Sequence, residues 1–473
     1  MALREYSKQG EMWGLSPDLA LPQGHLARAL DDIVEKLDLD RCNRKHRHTA
    51  GEPAYDVRAL VKILIYAYAR GITSTREMGR QCEENIAFQY LTRGQCPDFR
   101  TIALFRRKKR HLFRWVFKRT VQLARQMGIA RLGLVALDSV KLAANASKHK
   151  KMTGEQLREE VQRLDEYLSK VETCDQKEDD QYGCEQRGDE LPPDVQGARQ
   201  RKENLEKAWE ILQERQAKAK REPAKDVSIV DPEAPWVRKS GRVIRGYSGQ
   251  VAADSEHQVI VALKATAEPV DNEQLNPMVQ AIEKTAGASA KQLLADNGYY
   301  SDDAVLQASK SKTDCIVPDG ETAAQMNNGK RAEQRSGYDV SRFRYDEIKD
   351  EFICPQGKSL PFVAHCHRRG PTKLYRCSDC ADCPVREQCT TSPKGRSIQL
   401  RPDHAQIRKM RDRLQTETVK AIYKKRKAIV EPIFGRWQHN WGVRRLRLRG
   451  LTGFSVELHL LAIAHNVTKL IAA

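Results

Sequence analysis

The chain has 473 residues, with 82 Lys plus Arg against 63 Asp plus Glu and a formal charge of +19. That length buries one large core or two to three smaller ones, and the charge points to a polyanionic partner. The most apolar stretches, VKILIYAYA (61–69) and LHLLAIAHNV (458–467), are too short to span a membrane, and MALREYSKQGEMW lacks the apolar run of a signal peptide. A cytoplasmic protein, on the nucleoid if it binds DNA, is the resulting expectation.

Residues 1–130 read as a helical, DNA-binding domain. LARALDDIVEKLDL has apolar residues at helical spacing. GEPAYDVRALVKILIYAYARG follows, with Pro53 near its start and Gly71 at its end. TSTREMGRQCEENIAFQYLTRG reads as a third helix, and PDFRTIALFRRKKRHLFRWVFKRTVQLARQMG as one or two long ones. Segment 101–120 holds eight Lys or Arg, among them Arg106, Arg107, Lys108, Lys109 and Arg110, and no acid. Such a run is either a solvated helix face or a phosphate-contacting one, and no clean helix-turn-helix signature decides between them.

Residues 131–152 open an α/β core: GLVALD reads as a strand ending at Asp138. Residues 153–225 interrupt it with a helical, coiled-coil-like insert, EQLREEVQRLDEYLSKVE and GARQRKENLEKAWEILQERQAKAKRE, around the polar linker DQKEDDQYGCEQRGDELPPD. It suits a spacer, a dimerisation arm or a DNA clamp. The core resumes over 226–324. A hairpin turns at Asp254–Ser255–Glu256, NEQLNPMVQAIEKTAG is a helix, SAKQLLAD is a strand closing on Asp296, and SDDAVLQASK and KTDCIVP add a helix and a strand. Residues 325–400 form a cysteine-rich insert around a CPxG turn. Residues 401–473 are basic and then apolar, ending in a packed helix.

Three acidic residues stand in distinctive settings. Asp138 and Asp296 each close an apolar run, and Glu431 lies within YKKRKAIVEPIFGRW. Taken singly, they read as turn, cap or surface ion-pair residues. Taken together in a basic protein, they can hold two divalent metals against a phosphodiester. Pro432 disfavours α geometry for the residue before it, which predicts a helix start or kink at Glu431. Six of the twelve cysteines fall between Cys354 and Cys389. Cys377, Cys380, Cys383 and Cys389 have spacing for a structural zinc ion, with Cys354 and Cys366 as alternates and His365 and His367 close by. Reduced metal-free thiols and iron–sulfur ligation remain open. Segment 420–449 holds ten Lys or Arg with Trp437 and Trp441, suited to phosphate contact and base stacking or, for the tryptophans, to core packing. Lys141, Asn145 and Ser147 lie just past Asp138, where they position a DNA strand or form a polar loop.

The chain resembles the DDE transposases of bacterial insertion sequences, specifically the subgroup with a helical N-terminal domain and a cysteine-rich insert. The likeness rests on LDLDRCN, GEPAYDVRALVKILIYAYARGITSTREM, QYLTRGQCPDFRTIALFR, GLVALDSVKLAANASKHK, DPEAPWVRKSGRVIRGYSGQVAAD, LLADNGYYS, YKKRKAIVEPIFGRW and GVRRLRLRG, in that order. It implies an RNase-H-like catalytic core in which Asp138, Asp296 and Glu431 bind Mg2+, with Mn2+ as a substitute. It further implies hydrolysis at transposon ends, attack of the freed 3′-hydroxyl on target DNA, and at least a dimer on double-stranded DNA. Tyr423 and Arg426 match the family's residues before the glutamate, with Lys427 as an alternative to Arg426. The expected downstream lysine position is Gln438, for which Arg436 or His439 are substitutes, and Ser139–Val140 replace the glycine and threonine common after the first aspartate. Two other readings stay open: a degenerate or domesticated DNA-binding protein, and a nuclease of this fold that does not join strands.

Overall fold

The computed structural model describes residues 17–43, 54–147, 150–182, 193–218, 223–239, 241–320, 322–323, 338, 340–366, 372–400 and 404–473. Half of the insert's polar linker, residues 183–192 with Cys184, and His367 lie outside the described residues, while 175–182 continue a helix.

Eight helices precede the first strand: α1 Pro17–Ala20, α2 Leu26–Glu35, α3 Asp40–Asn43, α4 Val57–Ala69, α5 Thr75–Glu84, α6 Ile86–Thr92, α7 Phe99–Lys108 and α8 Arg110–Gln126. α4 starts later than its sequence suggests, because Asp56 is the residue that caps it, accepting from Arg58 N–H at 2.6 Å. The third predicted helix is two. Asn85 adopts extended backbone (φ −108°, ψ 119°) and its side chain accepts from Ala87 N–H at 2.9 Å, ending α5 and capping α6. Lys109 (φ −98°, ψ 38°) likewise separates α7 from α8. Lys62 is fully buried in α4, and its ammonium is held by Asp31 at 2.5 Å and by Glu35, both on α2.

Strand β1 spans Leu134–Ala143, so Asp138 is in mid-strand and not at a strand end. Next come β2 Lys151–Thr153, α9 Gly154–Tyr182, α10 Pro193–Lys218, β3 Asp226–Ser228, β4 Trp236–Lys239, β5 Arg242–Asp254, β6 Ile260–Thr266 and α11 Leu275–Ala286. β2 pairs with β3 and closes the base of the α9–α10 insert over Leu157, Leu205, Leu212 and Val227. The remaining elements are β7 Gln292–Leu294, α12 Asp302–Ala308, β8 Asp314–Ile316, β9 Arg344–Asp346, β10 Glu351–Ile353, β11 Ser359–Cys366, β12 Thr372–Arg376, α13 Arg386–Cys389, β13 Ser397–Leu400, α14 His404–Leu414, α15 Glu417–Gly435 and α16 Gly450–Ala472. The result is a mixed α/β protein. The predicted alternation of strand, helical insert, two strands, helix, strand and helix is present in this order.

The chain divides into two compact units. Unit 1 comprises Met1–Asp271, Gln280–Ser289 and Ile429–Ala473. Its sheet is built on β5, which pairs antiparallel with β1 on one edge and with β4 and β6 on the other. α16 packs against α4, α8 and β6 and is buried almost all round. A Cβ on Gly249 of β5 would meet Leu458 and Phe454 of α16 at 3.0–3.2 Å, so glycine there lets the helix lie close on the sheet. Asn466 fixes the register: its amide bonds both the N–H (2.8 Å) and the C=O (2.9 Å) of Ile260. Unit 2 comprises Asn272–Val279 and Ala290–Ala428. It holds the parallel pair β7–β8 and an antiparallel sheet in the order β13-β12-β11-β10-β9, cored by Phe343, Phe352, Leu360, Tyr375 and Ile398.

Two buried histidines of α16 give the fold an acid sensitivity. His465 meets Gln258 O at 2.8 Å through Nε2, while its Nδ1 is buried without a partner. Burial lowers its pKa to about 3, and that of His459 to about 4. Both are neutral when folded and protonate more readily when unfolded, near the ordinary 6.5. Their stabilising contribution is therefore complete above pH 6.5 and is lost as pH falls towards their folded values. Urea-unfolding midpoints are expected to fall between pH 7 and pH 5, with a shallower slope in His465→Gln.

Candidate active site and nucleic-acid interface

β1 positions Asp138 through its pairing with β5, opposite Val251. Side chains alternate along a strand, so Asp138 shares a sheet face with Val140, Gly249 and Val251. That is the face on which α16 lies. The Asp138 carboxylate is half-buried and accepts from Ser139 N–H at 2.7 Å.

The opposite face carries a polar cluster around Asp271. Its carboxylate accepts from Ser139 Oγ (2.8 Å), Lys141 Nζ (3.0 Å) and Gln250 Nε2 (2.6 Å), and Lys141 also donates to Ser248 Oγ at 2.6 Å. Lys141 thus braces β1 from the side away from Asp138, a different task from the DNA contact expected of it. Asp271 lies in the loop after β6, and nothing in its sequence context singles it out. Past β1, Asn145 Nδ2 donates to Arg447 O (2.8 Å), Leu446 N–H to Ala143 O (2.9 Å) and Arg445 Nη2 to Ala146 O (2.5 Å). These bonds dock the basic 442–449 loop against the end of β1, leaving Arg444 and Arg449 exposed. Ser147 is half-buried at the end of that segment.

Asp296 is in unit 2, two residues past β7. It caps a short 3-10 turn, accepting from Gly298 N–H at 3.0 Å. Glu431 is exposed on α15. The helix continues through it, with Pro432 inside the helix, so the predicted helix start at Glu431 is corrected. A π turn follows over Arg436–Asn440, which contains Gln438. Glu431 follows Lys427 by four residues and Lys424 by seven, placing the three on one helix stripe. All three are exposed, as is Lys425.

Several predicted contact residues are interior. Tyr423 and Arg426 are each 8% exposed, on the buried stripe of α15 that continues through Val430 and Ile433. Trp437 is fully buried and is a core side chain, not a stacking platform. Arg436 is half-buried and donates to Thr468 Oγ1 at 3.1 Å, while His439 is exposed. Arg106 is buried too, donating to Thr73 O at 2.8 Å and Tyr68 OH at 3.3 Å. Arg107, Lys108 and Arg110 are exposed and Lys109 is half-buried.

Known families account for both ends of the chain. A family model described as "Transposase DDE domain" matches residues 353–471, and one described as "Transposase domain (DUF772)" matches residues 16–108. The chain thus carries matches to two transposase domains, one of them a DDE domain. Glu431 and the cysteine cluster fall inside the first match, and Asp138 and Asp296 outside it. No curated protein matches the chain. Among solved structures it is similar to a piggyBac transposase determined by cryo-EM as a synaptic complex with hairpin DNA. That likeness has 11% identity over 96% of this chain and 75% of the other, with a TM-score of 0.31, too low to carry an argument.

In this transposase no group of three or more His, Cys, Asp or Glu among the described residues stands ready to hold a metal ion. The predicted zinc ligands are divided in character. Cys377 is 2% exposed in the apolar core of the five-stranded sheet, and burial pushes its thiol pKa up. Cys380, Cys383 and Cys389 are half-buried. No helix among the described residues is long and apolar enough to cross a membrane.

The two kinds of arginine in α7 separate by experiment. Arg106→Ala removes a buried, hydrogen-bonded charge and is expected to destabilise the transposase by roughly 2–4 kcal/mol. Arg107→Ala is expected to stay within about 0.5 kcal/mol of wild type and to weaken DNA binding instead. Denaturant melts and salt-dependent duplex binding read the two effects.

Proposed function

We propose that this transposase hydrolyses DNA at the ends of its element and joins the freed 3′-hydroxyl to target DNA, with Asp138, Asp296 and Glu431 as a single set of divalent-metal ligands on an RNase-H-like core. The observation that carries this reading is the mid-strand position of Asp138 on the sheet face covered by α16. A rigid carboxylate is held there while the adjacent Ser139 and Lys141 brace the strand from behind. The exposed position of Glu431 within the matched DDE domain agrees with it.

Carboxylates are the hard oxygen donors that Mg2+ or Mn2+ takes, and Glu431 stands at the surface. When bound, such ions neutralise phosphate oxygens and activate the attacking oxygen. The chain's own residues do the rest. Lys424 and Lys427 share the stripe of Glu431 on α15 and hold the phosphate backbone, with Lys425 exposed beside them. Arg107, Lys108 and Arg110 offer further backbone contacts from the N-terminal helices. The partner is double-stranded DNA, terminal repeats and target, engaged by at least two copies of the chain.

Labelled end duplexes are expected to be cut in Mg2+ and left intact in chelator. Asp138→Asn, Asp296→Asn and Glu431→Gln should each lower the cleavage rate by at least about 100- to 1,000-fold, corresponding to several kcal/mol of lost stabilisation, while end binding persists. Cutting without joining would favour a nuclease. Tight end binding by wild type with no cutting in either condition would favour a degenerate binding protein and turn attention to Gln438.

A further inference from the structure

The sheet of unit 1 carries a basic hairpin that the carboxylate chemistry does not use. β4 and β5 are joined at Gly241 (φ +78°), and the segment WVRKSGRVIR holds Arg238, Lys239, Arg242 and Arg245 with no acid. The root of the hairpin is fixed. Trp236 Nε1 donates to Asp226 Oδ1 at 2.9 Å, and the Arg245 guanidinium lies 4.1 Å from the centre of the Trp236 ring and pairs with Asp226. Arg245 is therefore spent on the fold. Among the described residues no carboxylate pairs with Arg238, Lys239 or Arg242.

The pairing register sorts these charges by face. Lys239 stands directly opposite Arg242, so the two share one face, while Arg238 stands opposite Val243 on the other. The 442–449 loop brings a further charge. Arg445 bridges to Ala143 at the end of β1, where Gly246 of β5 also pairs. Arg445 and Arg447 are committed to Ala146 O and Thr73 Oγ1, but Arg444 is exposed and has no carboxylate partner among the described residues. Burial lowers the Lys239 pKa, and the nearby Arg444 charge lowers it further. Like charges directly opposite one another destabilise a sheet. Charge on an edge strand guards against stray pairing, yet that purpose requires neither the Lys239–Arg242 pair nor Arg444. An anion held among the three offsets their repulsion.

We propose that Lys239, Arg242 and Arg444 form a phosphate-binding face for duplex DNA, a contact additional to the lysines of α15. It rests on the reading of Asp138 as part of the cutting site, and it states where the DNA runs from there. Asp138 lies five residues from Ala143 along β1, and Gly246 lies four residues from Arg242 along β5. At about 3.3 Å per residue the face extends from roughly 17 Å to roughly 30 Å from Asp138. With one phosphate per about 3.4 Å of each strand, that is about five to nine base pairs from the element end.

The test uses the full chain and a labelled duplex spanning one element end. Phosphates engaged are read from the slope of log K against log salt, about 0.9 for each. Lys239→Ala/Arg242→Ala/Arg444→Ala should make that slope shallower by about 2 to 3. Arg238→Ala, on the opposite face, should keep the wild-type slope. Single methylphosphonates should weaken wild-type binding about five to nine base pairs from the element end, and should not weaken the triple variant further. Sensitive positions inside the element assign the face to the terminal repeat, and positions outside it to flanking DNA. An unchanged slope in the triple variant, or no interference at that distance, overturns the proposal while Mg2+-dependent cutting by wild type still stands. The expected interference without any cutting by wild type would overturn the catalytic reading and keep the phosphate-binding face. The wild-type interference map decides the matter even if the triple variant fails to fold.

Discussion

Helix α16 is the constraint on which unit 1 depends. It is buried along most of its length, between the N-terminal helices and the β5 sheet. Its polar side chains are spent on other elements: Asn466 on Ile260, His465 on Gln258, and Glu457 on the backbone N–H groups of Arg447 (2.8 Å) and Leu448 (2.5 Å). Buried polar groups of this kind are costly unless paired, so each fixes a specific alignment. The Glu457 contact sets the 442–449 loop, which runs along the end of β1. β1 carries Asp138. The last helix of the chain and Asp138 are thereby parts of one packing problem.

The basic charge is divided between two uses. Arg106, Arg426, Arg245 and Lys62 are buried and serve the fold, each tied to other elements or to a compact core. The surface share lies on α7, α8 and α15, where exposed lysines and arginines follow one another with few acids between them. Only that share can release counterions from DNA. A net charge of +19 therefore overstates the binding surface.

Much of this was legible in the sequence. The helical start, the strands that carry Asp138 and precede Asp296, the inserted helical pair and the terminal helix all follow from periodicity. What was missed has identifiable causes. The apolar run stops at Asp138, but β1 continues because Val140 and Leu142 still alternate inward. Asn85 breaks a helix whose composition reads as continuous. Arg106 lies within a charged run, yet falls beside Phe105 and one turn after Ile102, on the buried side of α7. Pro432 falls in the last turn of α15, just before the π turn, so its missing N–H interrupts little of the helix. Asp271 was invisible, since a loop aspartate gains its role only when β1 and β5 present Lys141 and Gln250 to it.

Whether the three carboxylates share metal is the central matter, and one measurement addresses it directly. Ferrous ion substituted for magnesium, with ascorbate and peroxide, cuts a polypeptide near the bound ion. Cleavage near Asp138, Asp296 and Glu431 together, all suppressed by excess Mg2+, is the expected result. Cleavage near one of them alone, or cuts that Mg2+ does not suppress, would contradict a shared site.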